Sequence, residues 1–152
     1  MNIRLNVAAV IVRDANILLV EFDDETGLHY NLPSGGVEFG ESVYQALRRE
    51  VLEECYAEVE SIGAMLTAWE YVGAKEDYKY GDGHKVALIF PCTLKVGSEP
   101  HFPPNPDAHQ TGIRWVALDE LHTVGLIPDV AERLVPLIKN GGTSPVHVWS
   151  NL

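Results

Sequence analysis

Cysteine is nearly absent from this chain of 152 residues, with only Cys55 and Cys92 present. Their separation fits no zinc-ligand spacing, so both read as unpaired thiols filling small apolar positions. No apolar run approaches the ~20 residues that a helix needs to cross a bilayer. The opening MNIRLNVAAVIVRD is strand-like and broken by charge, unlike a secretory leader. Positive charge is also scarce, with 11 Lys and Arg against 22 Asp and Glu and a net charge of −11. That balance argues against a face built to track a nucleic-acid backbone. It still admits a small anionic substrate, provided metal ions supply positive charge locally. Internal repeats, linkers and low-complexity tracts are lacking. What is there is 46% hydrophobic, enough for an apolar core, so residues 1–152 are expected to form one domain located in the cytoplasm.

Alternating apolar residues predict strands at Ile3 to Arg13 and Ile17 to Phe22 around a turn at Asp14-Ala15-Asn16. Asp23 to Gly27 reads as a polar loop, and Leu32 to Gly36 as a turn-rich approach to an acidic segment. Val59 to Val72 reads as extended. Ala74 to Gly83 reads as a tyrosine-bearing loop. Lys85 to Val96 reads as a strand in which Pro91 predicts an edge position or a bulge. Gly97 to Gln110, with HFPPNPD, cannot be regular structure. Gly112 to Leu118 is a further strand, Asp119 to His122 a short helix, and Pro128 to Lys139 an amphipathic helix with proline in its first turn. Asn140-Gly141-Gly142 ends that helix.

The richest segment is GGVEFGESVYQALRREVLEEC, Gly35 to Cys55. Ser42 and Gln45 have capping-box spacing and predict a helix from about Ser42. Val43, Ala46, Leu47 and Val51 give it an apolar stripe. Glu50, Glu53 and Glu54 share another stripe, where like charges repel by roughly 0.2–0.5 kcal/mol per pair. A bound divalent cation is the simplest offset, because hard cations take oxygen ligands.

Gly35, five residues, Glu41, seven residues, Arg49-Glu50, the aliphatic Val51, one residue, then Glu53-Glu54 resembles the Nudix box, G-x5-E-x7-R-E-U-x-E-E-x-G-U. Tyr56 stands where the pattern has glycine and Ala57 where it has a larger aliphatic residue. Tyrosine in a left-handed cap would cost about 1 kcal/mol, which predicts that the helix ends in a different way. The trailing IRWVALDEL, Ile113 to Leu121, is also similar to Nudix domains.

The resemblance implies an α/β fold, an α/β/α sandwich around a mixed sheet. It implies a metal-dependent pyrophosphohydrolase that cleaves a nucleoside diphosphate linked to another moiety. Glu50, Glu53 and Glu54 would hold Mg²⁺ or Mn²⁺, with the Ser34 carbonyl completing the site. Arg49 would orient Glu41 or Glu50. Glu50 is the first choice of general base, and His109 or Asp107 the second. The acidic ligand that family members often carry about six residues before the tryptophan is His109 here. Trp69 and Tyr71, with Tyr78 and Tyr80, could stack on a nucleobase at ~1–3 kcal/mol per base, although aromatics at alternating strand positions also serve as core. His109 could likewise meet the substrate, and His84 and Lys85 a phosphate. The expected partner is a nucleotide-type small molecule, with no nucleic-acid polymer and no membrane, and a homodimer stays open. The start directly in the first strand favours a compact nucleotide hydrolase over an ADP-ribose enzyme. The alternative is a non-catalytic nucleotide-binding or regulatory module on the same fold, which would call for the loss of a box carboxylate. A plain acidic metal-buffering protein is a third reading.

Overall fold

The computed structural model describes residues 2–73, 83–141 and 145–151. Strand β1 (Ile3–Arg13) shows how the layers arise. Side chains alternate sides along a strand, so Val7, Ala9 and Ile11 pack into one core cluster and Ala8 and Val10 into the other. Strand β2 (Asn16–Asp24) does the same with Leu18 and Val20 against Ile17 and Leu19. A sheet apolar on both faces needs a cover on each. Helix α1 (Val43–Cys55) buries Ala46, Leu47 and Val51 on the first face. Helix α2 (Ala131–Lys139) buries Ala131 and Leu134 on the second. The expected α/β sandwich is therefore present.

The remaining strands are β3 (Gly27–Asn31), β4 (Ser34–Gly36), β5 (Val59–Ile62), β6 (Thr67–Val72), β7 (His84–Leu94), β8 (Gln110–Ala117) and β9 (Val148–Ser150). Their order is β3-β2-β1-β7-β6-β9, with β4 beside β1, β5 beside β7 and β8 beside β2. The sheet is mixed, because β1 runs parallel to β7 while most other pairs are antiparallel. A 3₁₀ turn, Leu118–Thr123, follows β8. Among the described residues no helix is long and apolar enough to cross a membrane.

Several boundaries differ from expectation for local reasons. The stretch predicted as a loop at Asp23 to Gly27 narrows to a tight turn, where the Asp24 carboxylate accepts from the Thr26 amide at 2.8 Å and hydroxyl at 2.7 Å. Pro91 lies in a central strand, opposite Val10 of β1, and not at an edge. Its missing N–H falls where the neighbour on the other side changes from β6 to β5, and there its carbonyl accepts from Gly63 at 2.8 Å. Val59 to Val72 divides into two strands around that junction. Helix α2 begins at Ala131, so Pro128 precedes it, while Pro136 lies within it. Asn140 caps it and Gly141 is left-handed at φ 63°. Gly142, Tyr78, Tyr80 and most of the Ala74 to Gly83 loop lie outside the described residues.

Tyr56 also departs from expectation. It keeps the left-handed cap, at φ 50° and ψ 38°, with its N–H on the Leu52 carbonyl. Its ring meets His101 edge-on at 4.6 Å, and the His101 amide donates to the Cys55 carbonyl at 2.9 Å. An aromatic pair is worth about 0.5–1.5 kcal/mol, which offsets the ~1 kcal/mol backbone cost. Cys55 and Cys92 are both free and buried in the α1 core. Burial raises both thiol pKa values, that of Cys92 to about 12.

The β1–β2 turn carries Asp14 at φ 49° and Ala15 at φ 60°, inside the Arg13–Asn16 pair. This is the two-residue hairpin geometry that favours Asn-Gly or Asp-Gly. Ala15→Gly is expected to stabilise the protein by about 0.5–1 kcal/mol, the left-handed cost less the gain in unfolded-chain freedom. Urea unfolding measures it, and a less stable variant would show that the turn is not strained.

Candidate functional site

Helix α1 starts where the capping box places it. The Ser42 side chain accepts from the Gln45 amide at 3.2 Å, and the Gln45 side chain accepts from the Ser42 amide at 2.8 Å. This fixes the rotation of the helix, so that Ala46, Leu47 and Val51 enter the core and Arg49, Glu50, Glu53 and Glu54 fall beside β4 and the loop that follows it. Glu54 is 2% exposed and Glu50 7%, whereas the Glu53 side chain is half exposed.

Arg49 organises this face. Its Nη2 and Nε donate to the two Glu41 oxygens at 2.6 and 3.2 Å. Its Nη1 donates to Glu50 Oε1 at 2.6 Å and reaches Glu53 Oε2 at 3.3 Å. A further Nη2 contact goes to the Gly36 carbonyl at 2.9 Å. Arg49 thus engages Glu41 and Glu50 together, where the sequence reading left them as alternatives. Such a planar fork matches carboxylates in a way that lysine cannot. The guanidinium holds the Glu41 carboxyl below its ordinary pKa, assisted by the Glu38 amide. Reciprocally, Glu41 raises the pKa of Arg49.

The buried acids go the other way. Burial raises the pKa of Glu50 against the pull of Arg49. Burial pushes Glu54 up to about 9, against the Ser34 amide, and the charges of Glu50, Asp107 and Glu53 add to it. The Ser34 amide donates to Glu54 Oε1 at 2.7 Å. Gly35 is pressed against Glu50, since a Cβ there would lie 2.0 Å from the carboxyl carbon. The backbone of β4 therefore approaches the carboxylates as only glycine allows.

Among the described residues no three His, Cys, Asp or Glu side chains already close around one point as a metal cage. Arg49 and Ser34 occupy individual oxygens of the set. By chemistry the group still fits a hard divalent cation: every donor is oxygen, and two of the carboxyls are buried with raised pKa values, which a cation would reverse.

A cavity of about 220 Å³ opens on the other side of Ser34 and is lined by Asn6, Asn31, Trp69, Tyr71 and Lys85 as well. Trp69 and Tyr71 stack on each other at 5.5 Å and 16°. Tyr71 is 1% exposed and belongs to the core, while Trp69 is half-buried. His109 is exposed and left-handed at φ 65°, its carbonyl accepting from the Asp23 amide at 2.9 Å. It does not line the cavity. From the same loop, Asp107 acts electrostatically on Glu50 and Glu54. His84 is accounted for by Glu70, at 2.8 Å.

The sequence reading missed Gln110, which is buried and donates to the Glu54 carbonyl at 2.8 Å, tying the proline-rich loop to the end of α1. It also missed Asn6 and Asn31. The signal for Asn6 was present, a lone amide in the inward series Asn6, Ala8, Val10.

Comparison with known proteins agrees with this geometry. The family model described as the NUDIX domain matches residues 2–140. The nucleoside triphosphatase NudI of Escherichia coli O139:H28 is 33% identical over 100 residues, which cover 60% of this chain and 70% of that protein. A NUDIX hydrolase from Nitrosomonas europaea superposes with a TM-score of 0.75 at 24% identity, covering 95% of this chain and 93% of the other. The MutT NUDIX hydrolase from Burkholderia pseudomallei gives 0.67 at 28% identity, over 80% and 88%.

Proposed function

This chain belongs to the Nudix family and hydrolyses pyrophosphate bonds, and we propose that its substrate is a nucleoside triphosphate held across Ser34. The observation that carries this reading is the junction at Ser34. Its amide binds Glu54 in the acidic cluster, and the same residue lines the cavity beside Trp69. A nucleotide laid across that junction has its phosphates at the carboxylates and its base in the cavity. The name of the NudI relative supports the triphosphate over a nucleotide sugar or a dinucleoside polyphosphate.

Divalent cations are general to Nudix hydrolases, and we take Mg²⁺ as the ion here, which Glu50, Glu53, Glu54 and the Ser34 carbonyl would hold. When bound, such an ion neutralises phosphate charge and acidifies water. The protein groups do the rest. Arg49 keeps Glu50 in place through Oε1, which leaves Oε2 free both to face the ion and to take the proton of the attacking water on its other lone pair. The water oxygen bonds to phosphorus, the anhydride P–O bond breaks, and the departing phosphate keeps the electron pair. Glu41 serves by fixing Arg49. The unit is read as a single domain of the cytoplasm that acts on small nucleotides and not on a nucleic-acid polymer.

A panel of nucleoside triphosphates, nucleotide sugars and dinucleoside polyphosphates with Mg²⁺ tests this reading, with the native protein beside Glu53→Gln. Release of a nucleoside monophosphate from triphosphates by the native protein alone is expected. Turnover confined to nucleotide sugars would displace the triphosphate reading, and equal turnover in both proteins would remove Glu53 from the site.

A further inference from the structure

We propose that Asn6 and Asn31 determine base specificity, selecting nucleotides whose base carries an exocyclic amino group. The inference rests on the nucleotide reading above and names the substrate class within it. The amide oxygens of both residues are buried and have no hydrogen-bond partner. Buried polar groups are normally satisfied, and each exception calls for an explanation. Gln110 and Thr67, by contrast, are met, donating to the Glu54 carbonyl and to that of His147, each at 2.8 Å, while Trp149 Nε1 shares the unmet state of the asparagines.

Both asparagines line the cavity that Ser34 joins to the acidic cluster. Asn6 reaches it from β1, where it pairs with Gly36 of β4, one residue from Gly35. Asn31 closes β3 just before the turn into β4. They arrive from two different strands, on the wall that also presents Trp69. Each oxygen is closed off as it stands, and the broad amide torsion of asparagine lets it turn to meet a donor that enters the cavity.

A carbonyl oxygen demands a donor. Cytosine N4, adenine N6 and guanine N2 each supply an amino group with two N–H bonds, whereas uracil and thymine present an oxygen where cytosine has its amine. Hypoxanthine lacks the guanine N2 amine. A site built to satisfy its own polar groups rejects the analogue that leaves them unpaired more strongly than an apolar pocket rejects a change of shape. Trp69 supplies a π surface that accepts any base, so it does not itself discriminate.

The test compares kcat/KM for CTP against UTP and for GTP against ITP in the native protein, Asn6→Ala and Asn31→Ala. In parallel, CMP, UMP, GMP and IMP are titrated into metal-free protein to read the cavity without hydrolysis. At least a tenfold preference for an amino-bearing member is expected in the native protein, both in turnover and in binding. Each variant should lose most of that preference, with urea unfolding of the same preparations showing that it has folded. Equal binding and turnover within both native pairs would overturn the proposal, as would variants that lower both members of a pair alike. If no nucleotide is hydrolysed but the monophosphates still bind with that preference, the triphosphatase reading falls and the specificity role of the asparagines stands.

Discussion

Gly35→Ala is expected to lower hydrolysis by about a hundredfold while the protein still folds. The added Cβ would stand 2.0 Å from both the carboxyl carbon and Oε1 of Glu50, and 2.4 Å from Oε2. No real Cβ tolerates that, so the carboxylate must leave its position. It is the far end of a flexible side chain, and the backbone around it can stay. The cost to stability is that of modest overpacking, about 1–3 kcal/mol. The cost to chemistry is larger, because displacing a reacting group by about 1 Å can remove about 10² in rate. Gly112→Ala is the control, since its Cβ would meet Glu21 at an ordinary 3.5 Å. Steady-state kinetics and urea unfolding on both variants decide the matter. A Gly35→Ala protein with native turnover would mean that the position of Glu50 is irrelevant to the reaction.

Arg49→Ala is expected to have the second largest effect, again about a hundredfold or more in kcat/KM, together with a loss of about 2 kcal/mol of stability. Removing one partner of a fully buried ion pair costs about 3–5 kcal/mol. Arg49 is 24% exposed and Glu41 17%, so solvent screening reduces that figure. What remains is a carboxylate cluster without its organising cation, in which Glu41, Glu50 and Glu53 repel one another. Arg49→Lys restores the charge but not the fork that reaches two oxygens of Glu41 and one of Glu50 at once. Its stability should recover more than its kcat. Full recovery of kcat by lysine would mean that Arg49 contributes charge alone.

Much of the site could be read from the sequence because it is encoded locally. Ser42 and Gln45 set the start of α1, and the 3.6-residue period then assigns Val51 to the core and groups Glu50, Glu53 and Glu54 on a separate stripe. Arg49 directly before them and Glu41 one loop earlier complete a pattern contained within 20 residues of chain. The cavity could not be read in this way. Its wall is assembled from β1, β3, β6 and β7, and no spacing in the sequence states that Asn6, Asn31 and Trp69 face one another. Trp69 and Tyr71 alternate correctly for a shared face, yet only packing shows that Tyr71 is core and Trp69 is the accessible one. Tyr56 was misjudged for a related reason. The left-handed cost is a property of one residue, whereas the His101 contact that offsets it comes from a loop more than 40 residues away. Short strands such as β9, which pairs with β6, carry too little pattern of their own and exist through their neighbours.

Pyrophosphate cleavage is expected to depend on a divalent cation held by the α1 carboxylates. Calorimetric titration of Mn²⁺ and Mg²⁺ into metal-free native protein and Glu54→Gln, with triphosphate hydrolysis followed on the same preparations, tests it most directly. Native protein is expected to bind the ion and to turn over only in its presence, and Glu54→Gln to lose at least about tenfold in both. Hydrolysis by the native protein without divalent ions, or equal metal affinity and turnover in the two proteins, would contradict it.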